Sequence, residues 1–328
     1  MPILDGQQEA AVTAAADRLA EGGLVAFATE TVYGLGARAD DDAAVAAIFA
    51  AKGRPVDHPL IVHVATLDDA RHFGDLSAPA ALQLAERFWP GPLTLIVPRR
   101  PGVGAAAAGG QDSIGLRMPS HPVALALLRA AAARGVRGVA APSANRFGRV
   151  SPTRAVHVAD EFGPGLMVLD GGDCALGIES AIVDCTRGMP ALLRPGVLDR
   201  GAIEVVLGGA LQAAGRDAPR ASGTLEAHYA PNARLRLMDG PMLGNALEVL
   251  QGAPAPQGLA VYSRTVRRAP PGIALRAMPD DPGAVAHELF AVLRDFDAQG
   301  ARLIWVETPP PGTAWDGVRD RLVRAAAA

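Results

Sequence analysis

Four basic residues lie where predicted secondary-structure elements end, and each stands near a glycine or a proline. They are Lys52, Arg54, Arg117 and Arg194. Cations gathered at loop ends suit phosphate or carboxylate ligands, because charge-assisted hydrogen bonds to such anions are strong. A single arginine in an arginine-rich chain is more often a solvated surface charge. The set of four therefore predicts an anion-binding site better than any one member does.

Lys52 is the only lysine in the chain, and the other 30 of its 31 basic residues are arginines. A position that keeps lysine in such a composition indicates a need for a compact point charge, as in phosphate binding. The alternative is a lysine that only complements the dipole at the C-terminus of a helix. Arg54, His58 and His63 follow closely, and they favour the functional interpretation.

Hydroxyl and amide side chains accompany these cations. Ser143 and Asn145 follow the apolar run Val139-Ala140-Ala141, which predicts a buried strand. Open α/β sheets bind ligands beyond the ends of such strands. Turn formation or helix capping would explain the same residues. The full set of candidate hydroxyl and amide groups is Thr29, Thr31, Ser143, Asn145, Ser151 and Ser180.

Two further patterns leave more than one interpretation open. Ser151 and Pro152 predict a helix that begins there, with serine as the N-cap and proline at N1, and that runs to Phe162. Glu30 and Glu179 could hold a metal, orient an amine or form structural ion pairs. No metal ligands are assigned, since the histidines and the two cysteines have no metal-binding spacing. A histidine on a strand such as His63 is by default a packed core residue.

The elements that must position these groups follow from hydrophobic patterning. A strand over Leu24–Ala28 leads into a loop over Thr29–Gly36, and a helix begins at Asp40–Asp42. Gly53 predicts the C-cap of that helix, and Pro55 prevents its continuation. Further predicted strands cover 60–64, 93–97, 114–117, 139–141, 166–170, 181–184 and 192–194, with helices at 10–20, 77–88, from 122 and 200–207.

Length and composition indicate a two-domain globular protein. The chain has 328 residues, of which 49% are hydrophobic and 20% charged. We predict a first domain over 1–208, a Gly- and Ala-rich linker over 209–233, and a smaller α/β domain over 234–328. A net charge of -3 gives no global basic field for nucleic acid. Two cysteines, no secretory leader and no long apolar run predict a cytoplasmic protein without a membrane span.

Several nucleotide and hydrolase signatures are missing from the sequence. The chain contains no GxxxxGK[ST] motif, no GxGxxG after a strand and no GxSxG motif. If ATP binds, it binds through another arrangement, and the chain offers no recognisable acyl nucleophile.

Taken together, ordered motifs along nearly the whole chain resemble the L-threonylcarbamoyladenylate synthase family in its long, two-domain form. The segments that carry the resemblance are TETVYGLG at 29–36, KGRP at 52–55, PLIVH at 59–63, WPGPLT at 89–94, LR-P at 116–119, APSAN at 141–145, SPT at 151–153, DGG at 170–172, GIES at 177–180, RPG at 194–196 and HYAP at 228–231. Two positions depart from the family pattern: Ala28 replaces a usual proline, and Ala181 replaces a common threonine.

The resemblance implies a fold and an activity. The fold is a YrdC-like twisted open mixed sheet with flanking helices, followed by a smaller Rossmann-like α/β domain. The activity is the condensation of L-threonine, bicarbonate and ATP to L-threonylcarbamoyladenylate, with release of pyrophosphate. The product would serve N6-threonylcarbamoyladenosine modification of ANN-decoding tRNAs through a separate threonylcarbamoyl transferase complex. Magnesium is expected with the phosphates.

The resemblance also implies roles for individual residues. Lys52 and Arg54 would be catalytic. The threonine side would be lined by Thr31, His63, Arg117, Ala141 and Ser180, with Arg117 pairing the carboxylate. The nucleotide side would be lined by Arg54, His58, Ser113, Ser143, Asn145, Ser151, Arg194 and Tyr229. We predict that the segment 222–231 folds over the first domain as a lid and that Tyr229 shields the ligand; the alternative is that Tyr229 anchors the second domain by packing.

Two other functional classes compete with this interpretation. One is a non-catalytic module that binds double-stranded RNA or tRNA through the same basic residues. The other is a carbamoyltransferase that uses carbamoyl phosphate, against which the lack of zinc-finger cysteines and of an acylphosphatase-like segment argues.

Overall fold

The structure, a computed structural model, describes residues 3–215, 217–251 and 256–328. The chain divides into two compact units. The first comprises the chain up to Phe147 together with Ser151–Thr224, and the second comprises Gly148–Val150 and Leu225–Ala328. The division falls inside the predicted linker, so residues 209–224 belong to the first unit.

The first unit alternates strands and helices. Its strands are β1 (Ile3–Asp5), β2 (Val25–Phe27), β3 (Gly34–Arg38), β4 (Ile61–His63), β5 (Leu93–Pro98), β6 (Ser113–Arg117), β7 (Val139–Ala140), β8 (Met167–Asp170), β9 (Ala181–Asp184), β10 (Ala191–Arg194) and β11 (Gln212–Ala213). Its helices are α1 (Glu9–Ala20), α2 (Asp42–Lys52), α3 (Leu67–Phe73), α4 (Pro79–Phe88), α5 (Pro122–Ala132), α6 (Ala155–Phe162) and α7 (Arg200–Leu207).

These strands form one mixed sheet. Over the described residues its order is β1-β8-β2-β3-β7-β4-β6-β5-β9-β10-β11. The strand β6 runs parallel to β4 and antiparallel to β5, so the sheet mixes both directions as predicted. This arrangement confirms the predicted α/β class with a large mixed sheet and flanking helices.

Alternate residues of the central strands pack on opposite faces of this sheet. Val25 and Phe27 of β2 belong to the hydrophobic cluster formed with α1 and α5. Ala26, between them, belongs to the cluster that contains the buried residues of α2, α4 and α6. Because side chains alternate along a strand, helices cover both faces. The sheet is therefore the rigid middle layer on which the loops of the site are mounted.

The helix α2 ends where the sequence predicts. Asp41 caps its start by accepting hydrogen bonds from the amides of Ala43 and Ala44. Gly53 caps its end with φ 64°, a left-handed conformation that glycine adopts without strain. Lys52 is thus the last helical residue, and its side chain leaves the helix at a fixed point.

Two predictions about the first unit are wrong. The segment Gly34–Arg38 is a strand, whereas the sequence predicted a loop through Gly36. A side chain at Gly36 would meet Phe27 and Val139 at 2.8 Å, so glycine is there for close strand packing and not for a turn. The helix α6 begins at Ala155 with Arg154 as its N-cap residue, so Ser151 does not cap it.

The second unit contains a smaller parallel sheet. Its strands are β12 (Arg234–Met238), β13 (Leu259–Ser263), β14 (Ala274–Ala277) and β15 (Leu303–Glu307), and its helices are α8 (Gly240–Val249), α9 (Pro282–Ala298) and α10 (Asp316–Ala326). Among the described residues the strand order is β12-β15-β13-β14, and all pairs are parallel. This agrees with the predicted α/β domain. None of the helices in the described part of the chain is long and apolar enough to cross a membrane.

Candidate functional site

A loop between β2 and β3 crosses the first sheet. The hydroxyl of Thr29 folds this loop, because it accepts hydrogen bonds from the amides of Thr31 and Val32 at 3.2 Å and donates to the carbonyl of Val32 at 2.6 Å. Three strands separate β2 from β6 in the sheet. The loop nevertheless reaches Arg117 on β6, so it must lie across those strands and bring distant segments together.

Arg117 is held by this loop in a buried ion pair. Its Nη2 donates to Glu30 Oε1 at 2.6 Å, and its Nη1 donates to Thr31 Oγ1 at 2.9 Å. Its Nε donates to the carbonyl of Gly91 at 3.3 Å. Burial acts to raise the pKa of Glu30, but the charge and hydrogen bond of Arg117 outweigh it and hold that pKa below its usual value. Of the interpretations left open for Glu30, the structure shows an ion pair.

His63 lies next to Arg117 on the neighbouring strand. The two residues pair directly in the parallel register of β4 and β6, and the ring of His63 meets Phe27 edge-on at 6.2 Å. Burial, reinforced by the positive charge of Arg117, lowers the pKa of His63 to about 3. The imidazole is therefore neutral at physiological pH, as expected for a packed core histidine.

Ser180 and Arg194 form a second buried group at the start of β9. The hydroxyl of Ser180 shares a 2.8 Å hydrogen bond with the hydroxyl of Thr94 on β5. Arg194 donates to the carbonyl of Ser180 through Nε and Nη2, at 3.1 and 2.9 Å. Thr94 was not among the predicted site residues, although it ends the WPGPLT segment. Ala141, also predicted, is buried beyond β7.

Lys52 joins the end of α2 to the loop after β7. Its Nζ donates to the carbonyl oxygens of Ser143 and Asn145, the former at 2.5 Å. Burial lowers the pKa of Lys52 well below its usual value, and the nearby charge of Arg54 lowers it further. The charges of Glu161 and Glu179 oppose these effects. The structure thus unites the lysine with the two predicted polar residues of the APSAN segment.

Arg54 lies on the same side with an aromatic companion. Its Nη2 donates to the carbonyl of Pro59 at 2.9 Å, and its guanidinium lies 5.8 Å from the centre of the Phe147 ring. The ring of His58 also packs against Phe147, with 5.4 Å between ring centres. Burial and Arg54 lower the pKa of His58. Phe147 was not predicted, and nothing in its sequence context marks it.

A segment of the predicted linker completes this cationic group. Arg194 Nη1 donates to the carbonyl of Ser222 at 2.9 Å, and Arg54 Nη2 lies 3.5 Å from its hydroxyl. Arg220 fixes the segment, because it bonds Asp57 at 2.8 Å and exchanges hydrogen bonds with Gln111. The segment lines a cavity together with Ser113, Thr94, Gly115, Ile61 and Ile182. Ser113 and Ser222 therefore line the same cavity, and the predicted role of Ser113 stays a prediction.

Ser151 has a different local role from the predicted helix cap. Its hydroxyl makes a short hydrogen bond to Glu179 Oε1. Both residues are buried. Tertiary contacts have taken the place of capping here: the carbonyl of Pro152 accepts from the amide of Tyr33, and this holds the segment away from helical geometry.

Tyr229 lies in the second unit. Its ring stacks on Phe290 of α9 with 5.5 Å between centres, and the guanidinium of Arg321 lies 5.2 Å from it. Its φ of 62° is unusual for a residue other than glycine. This packing is what the anchoring alternative requires. The predicted contact of Tyr229 with nucleotide stays a prediction.

The described residues hold no group of three or more His, Cys, Asp or Glu side chains that could bind a metal ion. Glu30 is paired with Arg117, and Glu179 accepts from Ser151.

Two family models match consecutive parts of the chain. A model described as telomere recombination, which groups Sua5, YciO and YrdC proteins, matches residues 17–196. A model described as the C-terminal domain of threonylcarbamoyl-AMP synthase matches residues 198–327.

Curated relatives and a solved structure agree with these matches. The threonylcarbamoyl-AMP synthase of Bacillus subtilis is 37% identical over 333 residues, which cover 96% of this chain and 92% of the relative. That of Pyrococcus abyssi is 44% identical over 240 residues, covering 71% and 69%. The crystal structure of P. abyssi Sua5 complexed with L-threonine superposes with a TM-score of 0.87 at 36% identity and covers 97% of this chain and 95% of that one.

Proposed function

This chain belongs to the threonylcarbamoyl-AMP synthase family, and on that premise we propose that it condenses L-threonine, bicarbonate and ATP to L-threonylcarbamoyladenylate with release of pyrophosphate. The observation that carries the proposal is the pairing of two groups in one unit: a buried Glu30–Arg117 ion pair beside His63, and the cations Lys52, Arg54 and Arg194. An amino acid suits the first group and a polyphosphate the second. The L-threonine bound to the P. abyssi protein supports the amino-acid assignment.

We assign threonine to the surroundings of Arg117. The guanidinium has five N–H donors, of which the described hydrogen bonds use three. A donor pair that remains can hold the α-carboxylate by a charge-assisted contact. Thr31, His63, Ala141 and Ser180 would complete the threonine side.

We assign ATP to the cationic group. Lys52, Arg54 and Arg194 would face the phosphates, with His58, Ser113, Ser143, Asn145 and Ser151 around the nucleotide and Tyr229 as a further candidate. Magnesium would enter as part of the substrate, the MgATP complex. The carbonyl partners of Lys52 fix its position and leave its charge available to a phosphate.

The chemistry needs positioning and charge stabilisation more than covalent catalysis. The ammonium of bound threonine first loses a proton to solvent; the amine then attacks the carbon of bicarbonate, and loss of water leaves a carbamate. A carbamate oxygen then attacks the α-phosphorus of ATP, the bond from that phosphorus to the bridging oxygen breaks, and pyrophosphate leaves. Lys52 and Arg54 would stabilise the negative charge that develops on the phosphates during this step.

We place the product in tRNA modification. A mixed anhydride of a carbamate and a phosphate is an activated acyl donor, and a separate threonylcarbamoyl transferase complex would move its acyl group to the adenosine beside the anticodon of ANN-decoding tRNAs. We expect this to occur in the cytoplasm. Direct contact with tRNA or double-stranded RNA is not required by this scheme. The relatives' synthase names argue against the alternative of a purely non-catalytic RNA-binding module.

The test is pyrophosphate release from MgATP by the purified protein. We expect release that requires both threonine and bicarbonate, together with an adenylate product that contains one threonine. Release that is independent of threonine, or none at all from a folded protein, would contradict the proposed function.

A further inference from the structure

Two buried acceptor atoms flank Arg117 without a hydrogen-bond partner among the described residues. They are Glu30 Oε2 and His63 Nδ1. Glu30 is 6% exposed and His63 is 3% exposed. Buried polar atoms in native proteins nearly always have a partner, so a pair of open acceptors in one place indicates a missing donor.

The protonation state of each group makes it an acceptor. Glu30 is ionised, because Arg117 holds its pKa low despite burial, and the backbone amide of Ser120 lies near enough to favour the charged form. The ring of His63 is neutral and hydrogen bonds with the backbone at Ile61 and Val139. A neutral imidazole with one nitrogen engaged as a donor presents a lone pair at the other, which here is Nδ1.

The charges of this site select the kind of donor. Arg117 and Glu30 carry opposite charges, so the pair is neutral overall. A neutral zwitterion matches it, with a carboxylate on the remaining Arg117 donors and an ammonium on the open acceptors. A ligand with the carboxylate but no ammonium would leave Oε2 and Nδ1 buried without donors, which is costly.

We propose that Glu30 is a specificity-determining residue whose Oε2, together with His63 Nδ1, receives the ammonium group of an α-amino acid. The inference rests on the proposed function, because it takes threonine as the ligand beside Arg117. Glu30 thus has two tasks: one oxygen orients Arg117, and the other recognises the substrate.

The test separates these two tasks with two ligands. Threonine and 3-hydroxybutyrate, which has hydrogen in place of the ammonium, are titrated calorimetrically into the wild type and into Glu30→Gln. We expect the wild type to bind threonine more than about tenfold tighter than 3-hydroxybutyrate. In Glu30→Gln, threonine affinity should fall about 10- to 100-fold, whereas 3-hydroxybutyrate affinity should not fall, because loss of the Glu30 charge leaves more of the Arg117 charge for an anion.

A purely structural role gives a different result. If Glu30 only positions Arg117, both ligands weaken by the same factor and the inference is overturned. Glu179→Gln is the matched control, because Glu179 is a second buried glutamate of the same unit and its Oε1 accepts a hydrogen bond from Ser151. The ratio of threonine affinity to 3-hydroxybutyrate affinity should not change in this variant. Should Glu30→Gln fail to fold, Glu30→Asp keeps the charge but withdraws it by one methylene, and it should lower the same ratio.

The affinities of the wild type for the two ligands also test the inference. If the wild type binds 3-hydroxybutyrate as tightly as threonine, the ammonium is not recognised and the inference is wrong, even when pyrophosphate release confirms the proposed function. If threonine neither binds nor stimulates pyrophosphate release, the proposed function fails together with the inference.

Discussion

The two ends of the candidate site hold their cations in opposite ways. At one end Arg117 is buried against a carboxylate, Glu30, at 2.6 Å. At the other end Lys52, Arg54 and Arg194 donate to carbonyl oxygens of the backbone. A carboxylate cancels the charge of its partner, whereas a carbonyl dipole orients a cation and leaves its charge in place.

This difference matches two kinds of ligand. A neutralised guanidinium has spare donors but little net charge to offer, which suits a zwitterion with no net charge of its own. Cations fixed on carbonyls keep their charge for a ligand that brings several negative charges. Burial of a cation is unfavourable, and burial together with the nearby charge of Arg54 lowers the pKa of Lys52. A phosphate would relieve that penalty when it binds.

The largest expected effect comes from removing charge at the carbonyl-bound end. In Lys52→Ala we expect turnover to fall by about 100- to 1,000-fold, because a charge-assisted contact to the reacting phosphates is lost in a closed site. Arg54→Ala should behave similarly. Threonine affinity should change little. The measurement is steady-state pyrophosphate release combined with calorimetric titration of threonine.

Arg71→Ala serves as the control for this pair, since Arg71 is an exposed arginine that pairs locally with Asp68. Circular dichroism should report an unchanged fold in all three variants. Normal turnover in folded Lys52→Ala would refute the phosphate role of the carbonyl-bound end.

At the neutralised end, Arg117→Lys tests the contacts that the guanidinium makes. A lysine keeps the charge but cannot reproduce three directed contacts and a remaining donor pair, so the KM for threonine should rise about 100-fold. The wild type should also discriminate against threonine amide, which lacks the carboxylate. Equal use of threonine and its amide by the wild type would show that Arg117 does not read a carboxylate.

A stability measurement tests the burial of His63. Its pKa is about 3 in the folded protein and near 6.5 when unfolded. Between pH 6.5 and pH 3 the unfolded state binds a proton on His63 that the folded state does not bind. The contribution of neutral His63 to the free energy of unfolding is therefore fully present above about pH 6.5 and is lost as pH falls toward 3. The slope is at most about 1.4 kcal/mol per pH unit.

Urea unfolding of the wild type and of His63→Gln at several pH values isolates this contribution as the difference between the two proteins. As pH falls from 6.5 toward 3, the wild type should lose unfolding free energy relative to His63→Gln. A pH-independent difference would mean that His63 is accessible to protons in the folded state.

The smallest effect is expected at Arg220, which fixes the segment carrying Ser222. Arg220 and Asp57 are both half-exposed, and such ion pairs contribute at most about 1 kcal/mol. Arg220→Ala should therefore weaken ATP binding by no more than about fivefold and leave threonine binding unchanged. Isothermal titration with each ligand provides the measurement. An equal loss of affinity for ATP and threonine would contradict the placement of the Ser222 segment at the nucleotide end.

Local sequence signals predicted the parts of the site that depend on local structure. Asp41 and Gly53 are strong helix-end residues, so the position of Lys52 could be read directly from the chain. The strand that carries Arg117 was evident from its apolar pattern. Each of these predictions needed only residues within one turn or one strand.

Predictions failed where contacts between distant segments decide the structure. Ser151 has the local signature of a helix cap, yet its partner is Glu179, 28 residues away. Gly36 suggested a turn, but glycine is needed there because a side chain would collide with Phe27 and Val139. The partner of Glu30 lies 87 residues along the chain, so the sequence left its role open.

The salt dependence of ligand binding tests whether one end of the site is charge-neutral and the other is cationic. MgATP and threonine are titrated separately into the wild-type protein at roughly 50 and 500 mM salt, where screening lengths differ about threefold. We predict that ATP affinity falls about tenfold while threonine affinity changes less than about twofold. Equal salt dependence of the two ligands would contradict the division of the site into a neutral and a cationic end.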